Sequence, residues 1–404
     1  MQPVMAQRIL SWQAGRQAPP WELMVCPTHR CNLRCGICAR SWEGDTAEAL
    51  LQDLPEERWL RLVDEAAELG ARYLNIGGGG EPTLRRRLVL DMCAKAKAHG
   101  MEGHLQTNGT TLTYEDLQAL TDLRWDYITV SLDGPTAEIN DAIRFRNAYA
   151  ETVKRIQWLV EIRRRARSLL PHLQINMVVT ALNFQALEAM VDFCVDNGVE
   201  LLSVKPLLEY SPDMQTYILS AAQEAALPGY VEKAIVRAGA AGLSHNLDSL
   251  LPLPSEQNPQ RETRGGETPL ASSRCLEPWR GLVVSSSGHV APCCFFWDGT
   301  ADNIREKRLE EVWFGLYLTT FRDRMRNNDL PAPCKTCGFP RSQVHRQLVD
   351  CVAQAEGEAN AGRTGAGAFL AKACNSLRRN GLRGSLERFR QWRAIRSALR
   401  REKR

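Results

Sequence analysis

Over its first two hundred residues the chain alternates short β-branched or apolar runs with longer stretches of helical hydrophobic spacing. The runs Glu22–Thr28, Arg72–Ile76, Glu102–Thr107, Asp126–Leu132, Gln174–Thr180 and Glu200–Lys205 predict strands. Between them Glu56–Leu69, Arg85–His99, Tyr114–Leu123, Glu151–Arg167 and Phe184–Asn197 predict helices. In the last, Leu187, Met190, Val191, Cys194 and Val195 fall on one stripe, so one face is buried. Strands alternating with helices imply parallel pairing through right-handed crossovers. Six such units fit an incomplete barrel or an open sheet, and periodicity does not choose between them. Glycine-rich, polar and cysteine clusters follow the ends of the first four predicted strands, where the loops of any parallel α/β array converge.

Past Lys205 the pattern changes. Asp213–Ala241 predicts a mostly helical stretch broken at Pro228-Gly229, and Leu251–Ser273, rich in Pro, Ser, Gly and Glu, a linker or lid. Cys275–Pro340 is a compact second unit, Ser342–Glu356 is helical, and Gly357–Gly367 is a flexible lead into a basic tail. The expected division is an extension over 1–21, an α/β unit over 22–210, a helical segment and linker over 211–274, a cysteine-bearing domain over 275–340 and a helical tail over 341–404. No internal repeat is visible.

Length and composition narrow the classes. With 404 residues and 44% apolar side chains the chain can bury two cores. It has no eighteen-residue apolar run, and Met1–Pro20 lacks the apolar region of a signal peptide. Thirteen cysteines that cluster by spacing, without an export signal, point to a cytoplasmic metalloprotein rather than a disulfide scaffold. The net charge of +4 conceals a tail, Ser376–Arg404, carrying +9, which leaves −5 for the remainder.

Cys31, Cys35 and Cys38 lie in the loop after the first predicted strand with C-x3-C-x2-C spacing. Three thiolates in one tight loop suit three corners of a 4Fe–4S cube and leave the fourth iron open to a small chelator. A zinc site wants four ligands; His29 is available as one, but the three-residue gap is unusual for zinc. The segment Pro27–Cys38, with its context, resembles the signature of radical S-adenosylmethionine (SAM) enzymes. That context is Gly78-Gly79-Gly80-Glu81-Pro82, Gln106-Thr107-Asn108-Gly109, Ser131-Leu132-Asp133-Gly134 and Arg144, in the family's order along the chain. The resemblance covers roughly Glu22 to Lys205 and implies a partial (β/α)6 radical SAM barrel.

It implies further that Gly78, Gly79, Gly80 and Glu81 meet the SAM amino group. Asn108, Ser131 and Asp133 line the site, Arg144 lies near the carboxylate, and Ile37 touches adenine. The physical logic fits these assignments. Glycines allow close backbone approach, Ser and Asp can bond ribose hydroxyls, and Arg can clamp a carboxylate bidentately. The chemistry implied is reductive cleavage of SAM to a 5′-deoxyadenosyl radical that abstracts hydrogen from a substrate C–H bond.

The second cluster comprises Cys275, the pair Cys293-Cys294 following Gly288, and Cys334-x2-Cys337. Spacing alone allows a structural zinc or a fully ligated iron–sulfur cluster. With Cys275-Leu-Glu-Pro-Trp279, Asp302-Asn-Ile304, Glu311-Val-Trp313 and Arg322, the region resembles the SPASM/twitch extensions of the same superfamily. The next cysteines after Cys337 are Cys351 and Cys374, so the truncated, twitch-like form is implied. That form holds one auxiliary 4Fe–4S cluster on Cys275, Cys293, Cys334 and Cys337, in a small α+β domain. Cys294 is the substitute for Cys293, though Cys293 keeps the Gly-x4-Cys spacing. Cys26, Cys93, Cys194, Cys351 and Cys374 have no partner at ligand spacing and read as core or helical thiols.

In the tail, Leu382, Leu386, Phe389, Ile395 and Leu399 recur at helical spacing among arginines. Such a helix can lie peripherally on the inner membrane surface or dock on the barrel; nucleic acid is the third reading. The expected function is oxidation or rearrangement of a small polar molecule, a sugar, lipid-linked sugar or aminocyclitol, by an oxidoreductase-type radical SAM enzyme. A flavodoxin- or ferredoxin-type donor supplies the electron. The alternative is a peptide-modifying maturase, disfavoured because only about twenty residues precede the first strand. A zinc-stabilised interaction protein is the reading from a different class. No general base is named; Thr180 and Lys205, at the ends of strands five and six, and the segment between Pro206 and Ser273 are the expected sources of substrate-facing residues.

Overall fold

The computed structural model describes residues 3–43, 53–145, 147–209, 211–251, 275–297, 301–337, 345 and 348–355. The linker expected over Leu251–Ser273 falls outside the described residues but for Leu251, and Cys374 and the basic tail fall outside them altogether. Met1–Val349 form one compact unit and Asp350–Arg404 another; of the latter, residues 350–355 are described and are helical.

The six expected strands all form: β1 (Glu22–Val25), β2 (Tyr73–Ile76), β3 (Glu102–Thr107), β4 (Tyr127–Ser131), β5 (His172–Val179) and β6 (Leu201–Pro206). They pair in parallel in chain order, each to the next. The whole is an open nine-stranded sheet, β6 being followed by β7 (Ser244–His245) at one edge. At the other edge β8 (Gly281–Val284) pairs in parallel with β1, and β9 (Val290–Ala291) closes a hairpin on it. The cysteine-bearing C-terminal segment therefore shares its sheet with the barrel, with Cys26 N–H donating to the Val284 carbonyl at 2.9 Å. Strand pairing of this kind depends on backbone alone, so no side-chain pattern announced it.

The helices form where the apolar stripe demands. In Glu56–Leu69 the buried Trp59, Leu62, Val63 and Ala66 make that stripe, and Gly70 ends the helix with φ 104°. Thr113 and Asp116 make a reciprocal capping box on Tyr114–Asp122. The break expected at Pro228-Gly229 does not occur. A helix runs unbroken from Ala221 to Ala241, capped by Ser220 and Gln223, with Pro228 inside it. The loss of one backbone hydrogen bond there is outweighed by the buried face of Val231, Ala234 and Ala238.

The expected N-terminal extension contains an unforeseen helix, Pro3–Gln13. Its Trp12 meets Trp313 edge-on at 6.3 Å, and the Arg322 guanidinium lies over both rings, 4.7 Å from Trp12 and 4.0 Å from Trp313. Arg322 also donates to the Pro278 and Trp313 carbonyls, and burial pulls its pKa down to about 9. No helix among the described residues is long and apolar enough to cross a membrane.

Candidate functional site

The sheet's inner face is polar. Along β5, His172, Gln174, Asn176 and Val178 are partly open while Leu173, Ile175, Met177 and Val179 are buried. Across the strands Gln106 donates to Asn75 at 2.8 Å and Asn75 to Glu22 at 3.0 Å, and Thr129 joins His104 to Gln174. At the strands' N-terminal ends this face borders a cavity of about 440 Å3 lined by Glu22, Tyr73, Glu102, His104, Tyr127 and Arg280. The chemistry-bearing loops lie at the opposite, C-terminal ends.

There the loop carrying Cys31, Cys35 and Cys38 follows β1 and is held by its neighbours' backbone. Gly80 N–H donates to the Thr28 carbonyl (2.9 Å), Glu81 N–H to the Arg30 carbonyl (2.7 Å) and Gly36 N–H to the Ile143 carbonyl (3.0 Å). A Cβ on Gly80 would run into the Arg30 carbonyl, and one on Gly36 into the Tyr217 ring. Both positions demand glycine for close approach rather than for a turn. Leu33 N–H points at Cys31 Sγ (3.4 Å), and the Asn108 amide lies 3.9 Å from the same sulfur while donating to Asn32 Oδ1 at 2.9 Å.

Cys31 and Cys35 sense the charges around them. Burial raises the pKa of Cys31 and lifts Cys35 to about 11; Arg144 opposes the rise at Cys35, and Asp133, Cys38 and Cys31 reinforce it.

The positions expected to meet SAM surround this loop in different ways. Gly78 and Gly79 adopt positive φ (82° and 64°), which bends the chain around the cysteine loop. Glu81 is buried, and its carboxylate accepts from Thr107 Oγ1 (2.6 Å), Asn108 N–H (2.7 Å) and Thr83 N–H (3.1 Å). It ties the glycine motif to the end of β3, and this internal engagement occupies both of its oxygens. Asp133, 0% exposed, likewise turns inward: Oδ2 lies 2.6 Å from Arg144 Nε, and Oδ1 accepts the Val178 N–H at 2.8 Å. Burial alone would lower the Arg144 pKa, but Asp133, Cys35 and Cys38 outweigh it and raise it. The Arg144 carbonyl lies 3.9 Å from Cys35 Sγ, so this ion pair stands beside the cysteine loop. Ser131, at the end of β4, is partly open.

Ile37 packs with Ile143, Met214 and Tyr217 in an apolar floor against which Cys35 and Val178 rest. Met214 and Tyr217 come from the Pro206–Ser273 segment expected to contribute to the site, though neither was named individually; the glycine between Cys35 and Cys38 was the one sign of a bulky neighbour. Thr180 was expected to face substrate and does not. It is fully buried and binds Asn183, its N–H donating to Oδ1 at 2.7 Å. Lys205 is exposed at the end of β6.

The second site gathers residues far apart in sequence. Cys275, Cys293, Cys294, Cys334 and Cys337 line one cavity, walled further by Phe296 and Met325. Phe296 is fixed edge-on against Phe321 at 4.8 Å. Burial raises the Cys275 thiol well above its usual value and Cys293 to about 12. No three His, Cys, Asp or Glu side chains among the described residues close on a single ion position. The five thiols face a shared volume instead, and mostly apolar walls with soft donors suit an iron–sulfur cluster. Glu277, in the same wall, pairs with Arg280 at 3.0 Å, and Arg280 pairs with Glu22 at 2.8 Å, which connects this wall to the inner face.

Cys26 has more context than its sequence suggested: it lies beneath Gly78 and within the electrostatic reach of Cys294.

Two family profiles match the chain: "Radical SAM superfamily" over residues 25–194 and SPASM, "Iron-sulfur cluster-binding domain", over residues 275–338. The chain is 26% identical over 332 residues to the tungsten-containing aldehyde ferredoxin oxidoreductase cofactor-modifying protein of Pyrococcus furiosus, covering 77% of this chain and 85% of that one. It is 28% identical over 357 residues to PqqA peptide cyclase of Methylocella silvestris, covering 85% and 86%. Among solved structures, Streptococcus suis SuiB bound to precursor peptide SuiA superposes with a TM-score of 0.61 at 20% identity, over 82% of this chain and 73% of that one. That last likeness is one of fold.

Proposed function

Because the chain belongs to the radical SAM superfamily and carries a SPASM-type iron–sulfur domain behind its barrel, we propose that it modifies a peptide by SAM-dependent radical chemistry. The carrying observation is the three-cysteine loop pinned between the glycine motif and the buried Asp133–Arg144 pair. Cys31, Cys35 and Cys38 would hold the 4Fe–4S cluster that binds SAM, and Cys275, Cys293, Cys334 and Cys337 one auxiliary 4Fe–4S cluster. When bound, cluster and SAM together supply a 5′-deoxyadenosyl radical able to take hydrogen from an unactivated C–H bond.

The protein's share is positioning and exclusion of water. Arg144, oriented by Asp133, offers its remaining guanidinium donors to the SAM carboxylate. The Gly78–Gly80 backbone would meet the amino group, and Ser131, partly open at the end of β4, the ribose. Ile37, with Met214 and Tyr217 behind it, gives adenine an apolar wall. Glu81 and Asp133 act by holding these groups in place.

What supports a peptide over the sugar or aminocyclitol expected from sequence is the PqqA peptide cyclase relationship, which spans nearly the whole of both chains. Anaerobically reconstituted protein, reduced with dithionite and given SAM, should form 5′-deoxyadenosine. Its rate should rise with a pool of short peptides and stay flat with sugars and aminocyclitols. A rise with sugars alone would reverse the substrate assignment.

A further inference from the structure

Lys205 lies on the inner face at the C-terminal end of β6, in register with Val178 of β5. Val178 rests on the floor formed by Ile37, Met214 and Tyr217, beside Cys35, and its N–H is held by Asp133. On its other side Lys205 lies within the electrostatic reach of Cys294, in the wall of the second cysteine cavity. Lys205 thus has neighbours in both cysteine sites. Each of the two arginines built into these sites has a carboxylate partner: Arg144 has Asp133, and Arg280 has Glu22 and Glu277. Lys205 is exposed and forms no ion pair among the described residues, so its charge is open to a ligand.

We propose that Lys205 is a specificity-determining residue that receives a carboxylate of the substrate and holds it between the SAM site and the auxiliary-cluster cavity. The inference deepens the peptide reading in one respect: it makes the carboxylate that of an acidic side chain or chain terminus. A free organic acid offers the same chemistry, so the two sources must be separated by experiment. Lysine suits the task because its flexible point charge follows a carboxylate without requiring bidentate geometry.

The test uses the full chain, reconstituted anaerobically and saturated with SAM. Acetylation of Lys205 by a water-soluble succinimidyl ester is followed by mass spectrometry, with Lys233 as the internal control. The probes are acetyl-Gly-Glu-Gly-amide, its glutamine counterpart, and glutarate. The glutamate peptide should slow acetylation at Lys205 about fivefold, leave Lys233 unchanged, and outdo the glutamine peptide. Binding of that peptide, read by calorimetry, should weaken roughly tenfold in Lys205→Met and recover in Lys205→Arg. Equal protection by the two peptides, or none by any probe, overturns the assignment. Protection by glutarate but by neither peptide keeps Lys205 as a carboxylate receiver and removes the peptide reading.

Discussion

The two cysteine sites are built in opposite ways. Cys31, Cys35 and Cys38 come from one eight-residue stretch, and the rest of the barrel adjusts to it through backbone contacts from Gly80, Glu81 and Ile143. The second site draws Cys275, Cys293, Cys294, Cys334 and Cys337 from segments that meet only once the sheet has formed. A donor set confined to one short loop leaves one corner of a cubic cluster uncovered, which suits a reactive centre. Donors converging from several directions can close around a cluster, which suits an electron relay or a structural anchor.

The sharpest way to break the comparison is to remove donors from each side. Alanine at Cys31, Cys35 or Cys38 should lower 5′-deoxyadenosine formation by about 1,000-fold or more. On the proposed division of labour, alanine at Cys334 or Cys337 should leave SAM cleavage within roughly fivefold while product formation fails. Equal losses of SAM cleavage from both sets would erase the distinction between the sites.

Next in size is the Asp133–Arg144 pair. Arg144→Met should weaken SAM binding by roughly 2 kcal/mol, some thirtyfold, in equilibrium dialysis with the cluster content unchanged. Within the second site, Cys293→Ser should cost about four irons per chain on reconstitution, and Cys294→Ser should cost none. The reverse outcome would transfer the ligand role to Cys294.

The smallest effect concerns the sheet's inner face at the end opposite the cysteine loops. His104, packed between Tyr73 and Tyr127, has its pKa lowered by burial from 6.5 to about 4. The unfolded chain therefore binds the extra proton first, and stability falls as pH drops from 6.5 toward 4, by up to about 1.4 kcal/mol per pH unit. Urea titrations should show that slope flattened in His104→Gln; an unchanged slope would place the acid sensitivity elsewhere.

The six barrel strands and their helices were legible because each carries a strong apolar period, as in Trp59, Leu62, Val63 and Ala66. The cysteine motifs were legible because their spacing is local. What stayed hidden was set by tertiary contact. The Tyr217 ring against Gly36, the inward commitment of Glu81 and Asp133, and the Trp12–Arg322–Trp313 stack join residues with no regular spacing. Thr180 was misjudged for the same reason: a strand-end position says where a residue lies, and its bond to Asn183 decides which way it turns. Pro228 shows local chemistry yielding to a buried helix face.

The parallel seam between β1 and β8 has a practical consequence for anyone shortening this chain. Cutting before Cys275 would strip one side of β1 and present the free amides and carbonyls of Glu22–Val25, flanked by Leu23 and Val25, to any neighbouring molecule. Such a fragment would be sticky even with every radical-site residue in place, and its poor behaviour would reflect a missing lateral neighbour rather than a damaged catalyst.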